Sequence, residues 1–189
     1  MSIRTFLALD LDDTLLDGLE EVRTRLDDSQ SKIRWVARQN IHLTMRFLGD
    51  VAEDVIPLVC ERTAAVAEQI APFDFELRGI TCVPPRGGQV RMVWAGVADP
   101  VGQLAALHEA LAEGLTDLDV KQETRGFKPH LTIARVKSVR DPGTFREMAA
   151  IYSETDFGIQ HATELVAYSS QLAPQGPIYS AIARATLGG

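Results

Sequence analysis

Two short segments of this chain carry the same tripeptide, His42-Leu43-Thr44 and His130-Leu131-Thr132. Side chains on a strand alternate between faces, so His42 and Thr44 share one face while Ile41, Leu43 and Met45 share the other. Pro129-His130-Leu131-Thr132-Ile133 repeats the pattern. Each segment displays an imidazole beside a hydroxyl on an apolar backing. Two such pairs meeting in one groove suit phosphodiester cleavage. One neutral imidazole takes a proton from water, and the other, protonated, gives a proton to the leaving sugar oxygen. Histidine serves in either state because its ordinary pKa lies near neutrality. The threonine hydroxyls can donate hydrogen bonds to non-bridging oxygens, most usefully as charge builds in the transition state. A cyclic phosphate needs little more, because ring strain already favours opening. No metal or other cofactor is expected.

One His-x-Thr on a half-buried strand is more often structural than catalytic. Two copies in matching positions of two half-repeats weigh differently. The motifs lie 88 residues apart (130 − 42). The same offset carries Phe6 to Trp94, Leu16 and Leu19 to Leu104 and Leu107, Glu53 to Asp141, and Leu77 to Leu165. The halves share an order of elements more than residue identity, which points to a duplicated lobe. The plainer alternative is that alternating helices and strands can be slid into register. Of four histidines, the other two, His108 in a helical stretch and His161 near a strand start, are expected at the surface.

The elements that must carry the motifs are legible from periodicity and punctuation. Strands are expected at Arg4–Asp10, Ile33–Val36, Ile41–Leu48, Phe73–Ile80, Val90–Val97, His130–Val136, Glu164–Gln171 and Ile178–Leu187, with Gly49-Asp50 ending the third. Leu15, Leu19, Val22 and Leu26 mark a helical face after an Asp12 or Asp13 cap. A second helix is expected from Glu53 to Ile70, with Pro57 tolerated in its first turn. Asp99-Pro100 reads as a cap with proline at the first helical position, and Asp141-Pro142 opens a further short helix.

The chain has 189 residues, 46% hydrophobic and 24% charged, with net charge −7. That suits one compact domain, or two small lobes packed together, with a substantial core. An acidic protein is poorly suited to gripping long nucleic acid, but a local basic pocket can hold one or two phosphates. Two cysteines, Cys60 and Cys82, rule out a zinc ribbon or disulfide framework; buried thiols in a reducing compartment are expected. No apolar run is long enough to span a membrane and the start lacks a signal-peptide core. A cytoplasmic monomer is the expected state.

The segments His42-Leu43-Thr44-Met45-Arg46-Phe47-Leu48-Gly49 and Phe127-Lys128-Pro129-His130-Leu131-Thr132-Ile133-Ala134-Arg135 resemble the paired motifs of the two-histidine phosphoesterases. More narrowly they resemble those of the RNA 2′,3′-cyclic phosphodiesterases, also called 2′-5′ RNA ligases. The opening Arg4-Thr5-Phe6-Leu7-Ala8-Leu9 is similar to this family's start, and the stretch from Ser169 to Tyr179 to its end. The resemblance covers essentially the whole chain, residues 1–189. It implies an α+β, bilobal duplicated fold, with two antiparallel sheets flanking a central cleft and helices outside. It implies hydrolysis of a terminal 2′,3′-cyclic phosphate to a 2′-phosphate, on RNA 3′ ends or small nucleotides, with reversible 2′-5′ joining as a related activity. By the family's usual assignment His42 donates the proton to the leaving 3′ oxygen, His130 activates water, and Thr44 and Thr132 bind phosphate. The residues themselves leave donor and acceptor open. Strict alternation puts Arg46 on the face of His42 and Arg135 opposite His130, unless the strand bulges; the resemblance favours Arg135 as a phosphate contact. Arg46 is a second candidate contact, and Phe47, Trp35 and Tyr179 are candidates for base stacking.

Two other readings compete. Asp10-Leu11-Asp12-Asp13-Thr14 looks like the nucleophile loop of magnesium-dependent haloacid-dehalogenase-type phosphatases, with Asp10 as nucleophile and Asp12 as acid and base. The late acidic pair and the lysine such a site needs are missing from the pattern. Alternatively the chain is a non-catalytic RNA-end-binding module, with Arg125, Lys128, Arg135, Lys137 and Arg140 around the second motif. Retention of two full His-Leu-Thr motifs argues against pure binding.

Overall fold

A computed structural model describes residues 1–27, 30–123, 126–174 and 176–189. Arg125, and Gln175 within the C-terminal segment noted above, lie outside the described residues. In chain order the elements are β1 (Ser2–Leu9), α1 (Asp13–Leu26), β2 (Lys32–Trp35), a 3₁₀ turn (Arg38–Asn40), β3 (Leu43–Ala52), α2 (Ile56–Ala67), β4 (Phe73–Val83), β5 (Met92–Ala98), α3 (Gln103–Gly114), β6 (His130–Ser138), α4 (Pro142–Ala150), β7 (Asp156–Ala162), β8 (Glu164–Ala173) and β9 (Gly176–Thr186).

The strands form two antiparallel sheets, one ordered β3-β1-β8-β9 and the other β2-β6-β5-β4-β7. The fold is therefore α+β, as expected. Each sheet draws strands from both halves of the chain. β4, from the first half, pairs with β5 in the second sheet. β8, from the second half, pairs with β1 in the first. The helices cross over too: α2 packs on β8 and β9 and α3 on β3, whereas α1 packs on β7 and α4 on β4. The driving force is ordinary burial of apolar stripes. Leu15, Leu19, Val22 and Leu26 of α1, and Leu104, Leu107 and Leu111 of α3, are almost wholly removed from water, each contributing about 1.5–3 kcal/mol.

Several boundaries differ from the sequence reading. β3 does not stop at Gly49-Asp50. Gly49 adopts a positive φ of 74° and the strand runs on to Ala52 against Ser2 of β1. Asp99 does cap α3, but from a turn upstream: its carboxylate accepts from the backbone N–H groups of Gly102, Gln103 and Leu104. Pro100 thus lies in that preceding turn and not at the first helical position. Asp141 caps α4 as expected, accepting from Gly143 and Thr144. β7, at the edge of the second sheet, is an additional strand without a clear period-two signal, because Gly158 and an exposed Ile159 spoil its alternation. Cys82 is buried and Cys60 only partly so, and both are free thiols. Among the described residues no helix is long and apolar enough to cross a membrane.

Candidate active site

A single cleft of about 690 Å³ holds both His-Leu-Thr motifs, with His42, Thr44, His130 and Thr132 all on its wall. His42 sits one residue ahead of β3, and His130 is the first residue of β6. Leu43 and Leu131, the central residues of the motifs, are fully buried beneath them. Alternation thus does locally what the sequence reading required: it buries the leucine and presents its neighbours.

The two imidazoles are held alike. His42 Nδ1 lies 2.8 Å from the Asn40 carbonyl oxygen, and His130 Nδ1 lies 2.8 Å from that of Lys128. A carbonyl only accepts, so Nδ1 carries the proton in each ring and Nε2 is left to face the cleft. His42 Nε2 is 3.0 Å from Thr44 Oγ1, which donates to it when the ring is neutral. Phe6 stacks on His42 with centroids 4.8 Å apart, and Trp94 stacks on His130 at 3.8 Å. The carbonyls and the stacked rings are matched across the repeat, Asn40 with Lys128 and Phe6 with Trp94 each lying the same 88 positions apart as the histidines themselves. The Thr44 contact belongs to His42 alone among the described residues. His42 also has Tyr179 against its edge, and burial lowers its pKa, opposed by the Asn40 contact and by the charge of Asp10. Its neutral form is therefore favoured in the free cleft.

Two bulges decide what lies beyond the threonines. In β3, Leu7 pairs with Arg46 and Ala8 with Thr44, so Met45 is an extra residue. In β6, Val93 pairs with Ala134 and Trp94 with Thr132, so Ile133 is extra. Each bulge shifts the alternation by one. Arg46, expected on the face of His42, is instead buried, at 3% exposure. It donates to Gln122 Oε1 at 2.7 Å and is absent from the cleft wall, which corrects its assignment as a substrate contact. Phe47 takes its place in the cleft, and Arg135 comes round to the face of His130 and Thr132. Phe47 and Arg135 are again 88 apart. Trp35 and Tyr179 also line the cleft, with the Trp35 indole N–H donating to Asp27.

Three participants were not singled out from sequence. Asn40 supplies the carbonyl behind His42, and its side chain donates to Pro177 O at 2.9 Å, which ties the β8–β9 turn to the cleft. Tyr168 stacks on Phe6 and donates to Asp10 at 2.7 Å. His108 is not a surface residue: its side chain is 12% exposed, its Nδ1–H donates to the Met45 carbonyl at the bulge, and its ring stacks on Phe127. Only an Asn-Ile-His spacing matched by Lys-Pro-His hinted at the first of these. His161 is at the surface as expected, paired with Asp74.

The phosphatase alternative loses its footing here. The Asp10 carboxylate is occupied by the Tyr168 hydroxyl and by Arg184 at 3.3 Å. Asp12 serves the helix start, its backbone N–H donating to Gln160. Among the described residues no three His, Cys, Asp or Glu side chains gather as a metal site.

Two antiparallel sheets with a paired histidine–threonine cleft between them define the class of protein: an α+β fold with a two-histidine cleft. Residues 11–162 match the 2′-5′ RNA ligase superfamily, and the chain belongs to that family. A protein of Methanothermobacter thermautotrophicus named RNA 2′,3′-cyclic phosphodiesterase is 30% identical, over 95% of this chain and 96% of its own length. One of the same name from Archaeoglobus fulgidus is 32% identical, over 94% and 96%. A crystal structure of a Thermus thermophilus protein superposes with a TM-score of 0.84 at 26% identity, covering 98% of both chains.

Proposed function

We propose that this chain hydrolyses the terminal 2′,3′-cyclic phosphate of RNA 3′ ends, or of small nucleotides, to a 2′-phosphate without a metal. The observation that carries the reading is the pair of imidazoles in one cleft, each pinned through Nδ1 so that Nε2 is the atom left for proton transfer, that of His42 beside the Thr44 hydroxyl. Water attacks phosphorus as one Nε2 takes its proton; the P–O3′ bond breaks as the other Nε2–H protonates O3′. Thr44 and Thr132 donate to the non-bridging oxygens. Arg135 adds positive charge and Phe47 an aromatic face for the base. If a 5′-hydroxyl enters in place of water, the same bond breakage joins two RNA ends through a 2′-5′ link. The 88-residue offset shared by the rings, their backing and their carbonyls supports a single domain, 1–189, of two pseudo-symmetric lobes. A cytoplasmic monomer is proposed as its working state, and does not follow from that offset.

The test is product analysis on an RNA oligomer ending in a cyclic phosphate, in excess EDTA. Formation of the 2′-phosphate supports the reading. Binding without turnover, or turnover abolished by EDTA, overturns it.

The roles of the two rings rest on protonation. Neutral His42 suits the base in the free cleft, while the family assignment makes His42 the donor. The two agree only if the bound phosphate anion raises the His42 pKa, as a nearby negative charge does. In a ¹H–¹⁵N titration of the free protein the His42 ring is expected to titrate below 6.5, the ordinary imidazole value. Adding inorganic phosphate is expected to move that midpoint upward. A midpoint that stays low with phosphate bound makes His42 the base and His130 the donor.

A further inference from the structure

The cleft is walled by two similar strands, yet its ends differ in chemistry. Past Thr132 the wall is cationic. Arg135 stands roughly 7 Å along the strand from Thr132, two ladder steps once the bulge is discounted. Arg34 of β2 lies directly opposite it in register, and both side chains line the cleft. Like charges facing across a ladder are destabilising. Arg34 donates to the Pro174 carbonyl at 3.4 Å. Like several other arginines, but unlike Arg23, Arg38, Arg62, Arg78 and Arg184, neither Arg34 nor Arg135 takes part in an ion pair among the described residues. What sets these two apart is that they face each other on the cleft wall. In a chain with 26 acidic residues against 19 basic ones, two adjacent arginines left without a carboxylate form a site for an anion from outside.

Past Thr44 the wall is aromatic and acidic. Phe47 is 45% exposed, and Glu123 shares that wall. The Glu123 carboxylate is backed by His108 Nε2 at 4.0 Å and by the charge of buried Arg46. A carboxylate repels phosphate but accepts from the amino and imino groups of nucleobases.

We propose that these unlike ends orient the RNA. The terminal base lies against Phe47 with its hydrogen-bonding edge on Glu123, and the phosphodiester joining that nucleotide to the preceding one lies on Arg34 and Arg135. This rests on the two-histidine reading above and goes beyond it, because it assigns strand polarity and makes Arg34 and Glu123 specificity determinants.

A nucleoside 2′,3′-cyclic phosphate lacks the 5′-phosphodiester, and a dinucleotide ending in the same cyclic phosphate has it. The ratio of their kcat/KM values reports the Arg34 end and is independent of the fraction of active protein. In Arg34→Gln the preference for the dinucleotide is expected to fall roughly tenfold or more, the worth of one charge-assisted hydrogen bond. In Glu123→Gln the ranking of the four nucleoside cyclic phosphates is expected to change. Guanosine, with two parallel N–H donors, loses most and uridine least. An unchanged dinucleotide preference in Arg34→Gln, or an equal loss for all four bases in Glu123→Gln, overturns the proposal. Should those ratios stay fixed while His42→Ala still abolishes turnover, the orientation is wrong and the two-histidine reading stands. Should the unmodified protein turn over neither substrate, both fall.

Discussion

His42→Ala and His130→Ala are each expected to lower kcat on a cyclic-phosphate substrate by roughly 10²–10⁴-fold, the range for loss of a general acid or base. The two effects do not multiply if the rings act as a unit on one phosphate, so the double variant should be little slower than the worse single one. Neither substitution should unfold the protein. Both rings stand on the cleft wall, and the apolar residues beneath them, Leu43 and Leu131, stay in place. His42→Ala opens space against Phe6 and Tyr179, and His130→Ala uncovers Trp94. A circular dichroism melt separates such loss of packing from loss of chemistry. Full activity in either variant would remove the proton-transfer mechanism.

The next largest effect is expected from the hydroxyls. Thr44→Val and Thr132→Val keep the branched shape and delete one donor each. Removing a donor aimed at developing charge costs roughly 10²–10³-fold in kcat. KM should change far less, since the bond strengthens in the transition state and not in the bound substrate. Thr44→Val carries a second consequence, because Thr44 Oγ1 is also the partner of His42 Nε2. Its pH–rate profile should shift as well as fall, whereas the Thr132 variant should fall without that shift. Steady-state kinetics across pH on both variants tests this; serine substitutions, which restore the hydroxyl, should recover most of the rate.

The strands bearing the motifs, the α1 and α3 stripes and the two histidine–threonine pairs were legible in the sequence because each depends on local periodicity. What was not legible depended on single inserted residues. Met45 and Ile133 are ordinary apolar residues in ordinary positions, and nothing in their identity announces that the ladder skips them. Yet those two bulges exchange Arg46 for Phe47 in the cleft and bring Arg135 round to face it. His108 escapes the sequence pattern for a different reason. An imidazole on a helix looks solvent-facing until the tertiary fold offers it a carbonyl freed at the Met45 bulge. Asn40 and Lys128 act through their backbone oxygens, where residue type leaves no trace.

The interleaving of β4 and β8 between the sheets bears on how the molecule comes apart. Neither half of the chain can close a sheet by itself, since each lends a central strand to the other and borrows one back. Such sequence-distant pairing is slow to assemble and cooperative to lose. Opening the catalytic wall on one side must therefore loosen the other. A partly melted molecule keeping one competent histidine lobe is not a state this connectivity provides, and residual turnover on heating becomes a gauge of the wholly native fraction.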